Sequence, residues 1–171
     1  MSKELIMDDY QQIISLFKSH EIIDQENILK WMTSPRLDIQ GALYVLTNIA
    51  WDRIKPELTM QATCQFILDY YRRCIVENPT SGDYILNRYE AGWEMANWLK
   101  ALYAGQPETS EILLNAENLL KEIYIQGDKE TKECIINGIL EHVFEEQSMV
   151  SLFDNWRKIP QLKIAYDEAL E

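Results

Sequence analysis

A chain of 171 residues, 47% of them hydrophobic, carries enough apolar side chains for one core of ordinary size, and the expected organisation is a single domain over residues 1–171. Its net charge of -12, from 28 acidic and 16 basic side chains, opposes a phosphate backbone, which proteins grip with Lys and Arg, and so excludes nucleic acid as a direct ligand. No basic start leads into a short apolar segment, and the longest apolar run, 42–51, is interrupted by Thr47 and Asn48; neither a signal peptide nor a membrane span is expected, and a cytoplasmic address is.

The first predicted helix covers 3–18, where Leu5, Ile6, Tyr10, Ile13, Ile14 and Phe17 recur at steps of three and four. A short second helix over 24–32 starts from Asp24 as its cap and presents Ile28, Leu29, Trp31 and Met32. Pro35 after Ser34 fits the first position of a third helix, where its missing N–H costs nothing; that helix is expected to reach residue 54 before Pro56. A fourth spans 59–76 and is stopped by the run Asn78, Pro79, Thr80, Ser81, Gly82.

The fifth predicted helix, 83–104, is apolar around most of its circumference. Its one polar stripe is Asn87, Glu90, Glu94 and Asn97, which predicts a central helix with Trp93 and Trp98 in the core and Gly105 as its stop. A sixth helix over 110–125 ends at Gly127, and Asp128 caps a seventh running to about residue 146. A short segment at 149–156 and a last helix opened by Pro160 complete the chain. No element reads as a strand, so the predicted class is all-α with about eight helices, arranged as an irregular stack of helical hairpins of the HEAT kind or as an orthogonal bundle.

Ser34, Ser81 and Asp128 are 47 residues apart both times, the length of a helix-pair repeat. The mid-helix glycines Gly41, Gly92 and Gly138 do not keep that register. Glycine inside a helix costs about 0.5–1 kcal/mol relative to alanine, so all three point to close approach of a neighbouring helix.

Chemistry is sparse. Cys64, Cys74 and Cys134 lie in apolar helical segments without a Cys-x-x-Cys pair, and read as buried, reduced thiols. His20 and His142 are the only histidines, too few for a multi-histidine metal centre. The nearest approach to a ligand cluster, His142 with Glu141 and Glu146, reads as a solvated helix end. With no phosphate loop and no nucleophile placed beside a base, the expectation is a protein without catalytic residues, metal or cofactor.

What stands out is acid. Residues 108–171 hold 14 acidic and 6 basic side chains, and Glu133, Asn137, Glu141 and Glu145 follow one another at i, i+4 along the seventh helix. Like charges at that spacing repel, and a cationic partner would relieve the repulsion. Glu133, Glu141 and Glu145, with Glu146 and Asp154 nearby, are the candidate partner-binding residues.

The run Cys134, Ile135, Ile136, Asn137, Gly138, Ile139, Leu140, Glu141, His142, Val143, Phe144, followed by Phe153, Trp156, Pro160 and Tyr166, resembles the ending of the small acidic all-helical immunity proteins of bacterial polymorphic and contact-dependent toxin systems. The resemblance implies a cytoplasmic protein that binds and neutralises one cognate toxin domain, often a basic nuclease, without catalysis of its own. It carries over no binding residues, because that class varies its interface. A helical adaptor that binds a basic protein or peptide is the alternative expectation, and a small enzyme a more distant one.

Overall fold

The computed structural model describes residues 7–171, so the start of the first predicted helix, with Leu5 and Ile6, lies outside the described residues. Helix makes up 74% and strand 2% of it, which fixes the class as all-α. Nine helices are present among the described residues: α1 (Asp9–Leu16), α2 (Gln25–Met32), α3 (Leu37–Ala50), α4 (Met60–Glu77), α5 (Arg88–Ala104), α6 (Ser110–Gln126), α7 (129–144), α8 (Gln147–Val150) and α9 (Pro160–Glu168). Helix α7 is continuous but changes winding, from α over Lys129–Glu133 to π over Cys134–Leu140 and back to α over Glu141–Phe144. A 3-10 segment, Ser151–Lys158, precedes α9.

The chain divides into two compact units. The first runs up to Tyr70 and includes Ser81–Ile85; the second holds Tyr71–Thr80 and Leu86–Glu171, the cut falling inside α4.

In the first unit Ile13, Ile28, Trp31, Leu43 and Leu46 are buried where α1 and α2 pack on α3. Asp24 caps α2 as expected, accepting a hydrogen bond from the Glu26 N–H at 3.0 Å. The third helix corrects the sequence reading. Ser34 accepts from the Arg36 N–H and makes a turn, so the helix starts at Leu37, two residues beyond Pro35, and ends at Ala50. After it, Ile54–Lys55 (β2) pairs in parallel with Ile23–Asp24 (β1), a two-residue ladder where no strand was predicted. Arg53 fixes this corner by donating to the carbonyls of Ser19 and Glu21 and, at 2.8 Å, of Leu16 at the end of α1. Gly41 sits against Tyr84: a Cβ there would lie 2.6 Å from the Tyr84 carbonyl oxygen.

Helix α4 ends as the breaker run predicts. Asn78 takes a left-handed φ of 47° and its N–H closes on the Cys74 carbonyl, and Gly82 follows at φ 137°. The segment after Gly82 is not helical, contrary to expectation. Helix α5 starts at Arg88, because Asn87 and Glu90 form a capping box in which each side chain accepts from the other's backbone N–H at 2.9 Å. With Ser34 and Ser81 no longer caps, the 47-residue spacing does not mark helix starts. Asp128, which accepts from the Thr131 N–H at 2.8 Å, does cap α7.

In the second unit α5 and the π segment of α7 are the most closely packed pair. The contact is made by small groups. A Cβ on Gly92 would meet Cys134 Sγ at 3.3 Å and the Gly138 carbonyl oxygen at 3.6 Å, and one on Gly138 would meet the Tyr89 ring at 3.5 Å and the Gly92 Cα at 3.9 Å. Both glycines are therefore at a helix contact, as their mid-helix positions predict. Gly92→Leu should overpack it and lower the unfolding free energy by about 1–3 kcal/mol. A urea melt with an unchanged midpoint would show that the helices have room to part. At the other end of the unit Trp156, Phe153, Phe144, Tyr166 and Tyr124 form one aromatic cluster with ring centroids 5.4–6.1 Å apart. These include the aromatic residues that carry the family resemblance, and Pro160 opens α9 at its first turn as expected.

Candidate acidic and aromatic interface

The surface of the second unit above the α5–α7 contact is set by which side of α5 is buried. Arg88, Ala91, Gly92, Met95, Ala96, Leu99 and Leu102 face inward at helical spacing, with the small residues Ala91, Gly92 and Ala96 in the middle of the stripe. The large aromatics between them are pushed outward. Trp93, expected in the core, is 51% exposed, Tyr89 is 39% exposed, and Trp98 is only half-buried. The physical reason is the close approach at Gly92: a helix pair packed this tightly has no room for an indole between its backbones. The buried tryptophans are Trp31 and Trp156 instead.

Tyr89, Trp93 and Asn97 succeed one another at i, i+4 along α5. Around them stand groups from α7. The Tyr89 ring borders Gly138, and the phenol is pushed above its ordinary pKa, chiefly by burial and further by the negative charge of Glu133. The Trp93 indole meets the His142 ring edge to face at 6.4 Å. Trp93, Asn97, Lys100, His142 and Glu145 together line a cleft of about 220 Å³. Glu94 is exposed beside Trp93.

Each of the expected partner-binding residues is exposed, but they do not form the simple acidic row that their spacing suggests. The π segment closes its hydrogen bonds i to i+5, so residues four apart no longer stack in register across it. Two of the carboxylates already have cations: Glu133 lies 3.5 Å from Lys129, and Glu145 lies 3.3 Å from Lys100 and 3.5 Å from His142 Nδ1. The hydrogen bond from Lys100 holds the Glu145 carboxyl below the usual carboxylate range, so Glu145 stays charged through mildly acidic pH. Glu146 immediately precedes α8, and Asp154 lies in the 3-10 segment, accepting from the Tyr166 hydroxyl at 3.5 Å. The sequence reading marked these acids for their charge and placed Trp93 in the core, where it is not. The signal was the set of small residues Ala91, Gly92 and Ala96 on one side of α5, where a neighbouring helix can approach closely.

The thiols are as expected. Cys64, Cys74 and Cys134 are buried and in no disulfide, and burial pushes the Cys134 thiol up to about 11, so it stays protonated and donates to the Arg88 carbonyl at 3.4 Å. Arg88 is buried with it and ties off the end of α4, donating to the carbonyls of Ile75 at 2.7 Å and Val76 at 3.4 Å. Among the described residues no three His, Cys, Asp or Glu side chains are grouped to hold a metal ion, and no helix is long and apolar enough to cross a membrane. The first unit has its own cleft, about 260 Å³, between Trp51, Ile54 and Leu58.

None of the protein-family models, curated proteins or solved structures compared with the chain matches it.

Proposed function

We propose that this chain is a non-catalytic binding protein, a cytoplasmic immunity protein that captures and neutralises a cognate basic toxin domain of bacterial origin. One observation carries the reading: half-exposed Tyr89 and Trp93 stand on the second unit among the exposed carboxylates Glu94, Glu133, Glu141 and Glu145. Large, rigid aromatic rings give contact area at little entropic cost, while an acidic rim steers a cationic partner and rejects an anionic one. The net charge of -12 extends the same field over the whole chain.

The adaptor reading draws on a different observation, the cleft beside Trp51, whose indole is 68% exposed. A short peptide would bind there independently of the α5–α7 surface. Co-expression separates the two. Cells producing the cognate toxin domain should survive when the chain is present, and the two proteins should co-purify at one to one. Continued killing, with no complex on a sizing column, would contradict the immunity reading.

A further inference from the structure

We infer that the α5–α7 surface takes arginine side chains of its partner, with the Trp93 indole as the platform on which a guanidinium stacks and the carboxylates around it as acceptors. This rests on the basic-partner reading above and narrows it to one chemistry.

Four features of the surface lead there. The indole of Trp93 is held in place on one side by the His142 ring at 6.4 Å, yet half of its area is open, so a flat group can lie against it without rearrangement. Tyr89, one turn earlier on the same helix, continues the aromatic strip. Glu94 on α5, Glu141 on α7 and Glu145 just past the end of α7 are exposed, which makes an apolar plug unfavourable, because it would cover carboxylates without pairing them. Finally, Glu145 already holds the ammonium of Lys100 at 3.3 Å, on the rim of the cleft that Trp93 and Asn97 complete. A second point charge of the ammonium kind would compete with Lys100. A guanidinium differs: it is planar, weakly hydrated, stacks on an indole and presents several donors in a fixed fork, so it can use the ring and reach a carboxylate together. Lys100 and His142 are the cationic or titratable groups it would have to approach, and the acids around them outnumber them.

The test uses the 171-residue chain and two synthetic octapeptides, one alternating glycine and arginine, the other alternating glycine and lysine, both acetylated and amidated so that their charge is equal. Binding is followed by calorimetry at low salt and at about 0.15 M salt. The arginine peptide should bind about two- to fivefold more tightly than the lysine peptide, the range expected for an exposed cation on an aromatic ring. In Trp93→Ala that ratio should fall toward one, with the circular dichroism spectrum unchanged because the side chain is half in solvent. Glu141→Gln with Glu145→Gln should weaken both peptides alike and leave the preference in place. Equal binding of the two peptides, or a preference that survives Trp93→Ala undiminished, overturns the arginine inference while the acidic-surface reading stands. If neither peptide binds at low salt, the basic-partner reading fails with it.

Discussion

Replacing Trp156 by alanine should lower the stability of the second unit by about 3–5 kcal/mol, more than any surface change in this chain. The side chain is fully buried and lies against Phe153 and Tyr124. Its Nε1–H also donates to Glu117 Oε1 at 2.6 Å, and the same oxygen receives Lys121 Nζ at 2.9 Å. Glu117 is itself buried, so alanine would leave both a cavity and a carboxylate that has lost one of its two partners. Trp156→Phe separates the contributions. It keeps an aromatic ring in the cluster, removes the donor and leaves a smaller cavity, and should cost about 1–3 kcal/mol. Urea unfolding followed by circular dichroism measures both. A loss below about 1 kcal/mol for the alanine variant would mean that the aromatic cluster does not anchor this unit.

Reversing Glu141 and Glu145 together to lysine should slow capture of a basic partner by about tenfold at low salt and leave the fold intact, since both side chains are exposed. Charge reversal acts more strongly than removal, because it replaces attraction with repulsion along the approach path. Glu145→Lys adds a second consequence: it places an ammonium next to Lys100, which now pairs with the carboxylate at 3.3 Å. The variant should therefore also lose much of its salt dependence. Stopped-flow association at two ionic strengths reads this directly. Unchanged rates in the double variant would remove these two carboxylates from the binding surface and leave them as ordinary solvated acids.

The parts of this fold that are legible in the sequence are those fixed by local backbone chemistry. Asp24 and Asp128 cap helices because a short acceptor there satisfies an N–H the helix cannot, and Gly105 and Pro160 mark an end and a start for equally local reasons. Where two local solutions compete, sequence reasoning chose wrongly. Ser34 can cap a helix or close a turn onto Arg36, and it closes the turn. Residues 83–87 have the apolar period of a helix, but the capping box of Asn87 and Glu90 starts α5 later. The π winding of α7 leaves no trace in the residue pattern, because the exposed positions Glu133, Asn137, Glu141 and Glu145 remain exposed under either winding. The candidate surface was half visible. Its acids follow from charge, whereas exposure of Trp93 depends on the contact between Gly92 and Cys134, which joins residues 42 apart in sequence.

The most direct measurement of the central claim is the association rate of the unaltered chain with the basic toxin domain proposed as its partner, as a function of ionic strength. An acidic surface that captures a basic partner predicts a one-to-one complex whose association rate falls steeply between about 0.02 and 0.5 M salt while the dissociation rate changes little. A rate that does not vary with salt, or the absence of a complex, would contradict it.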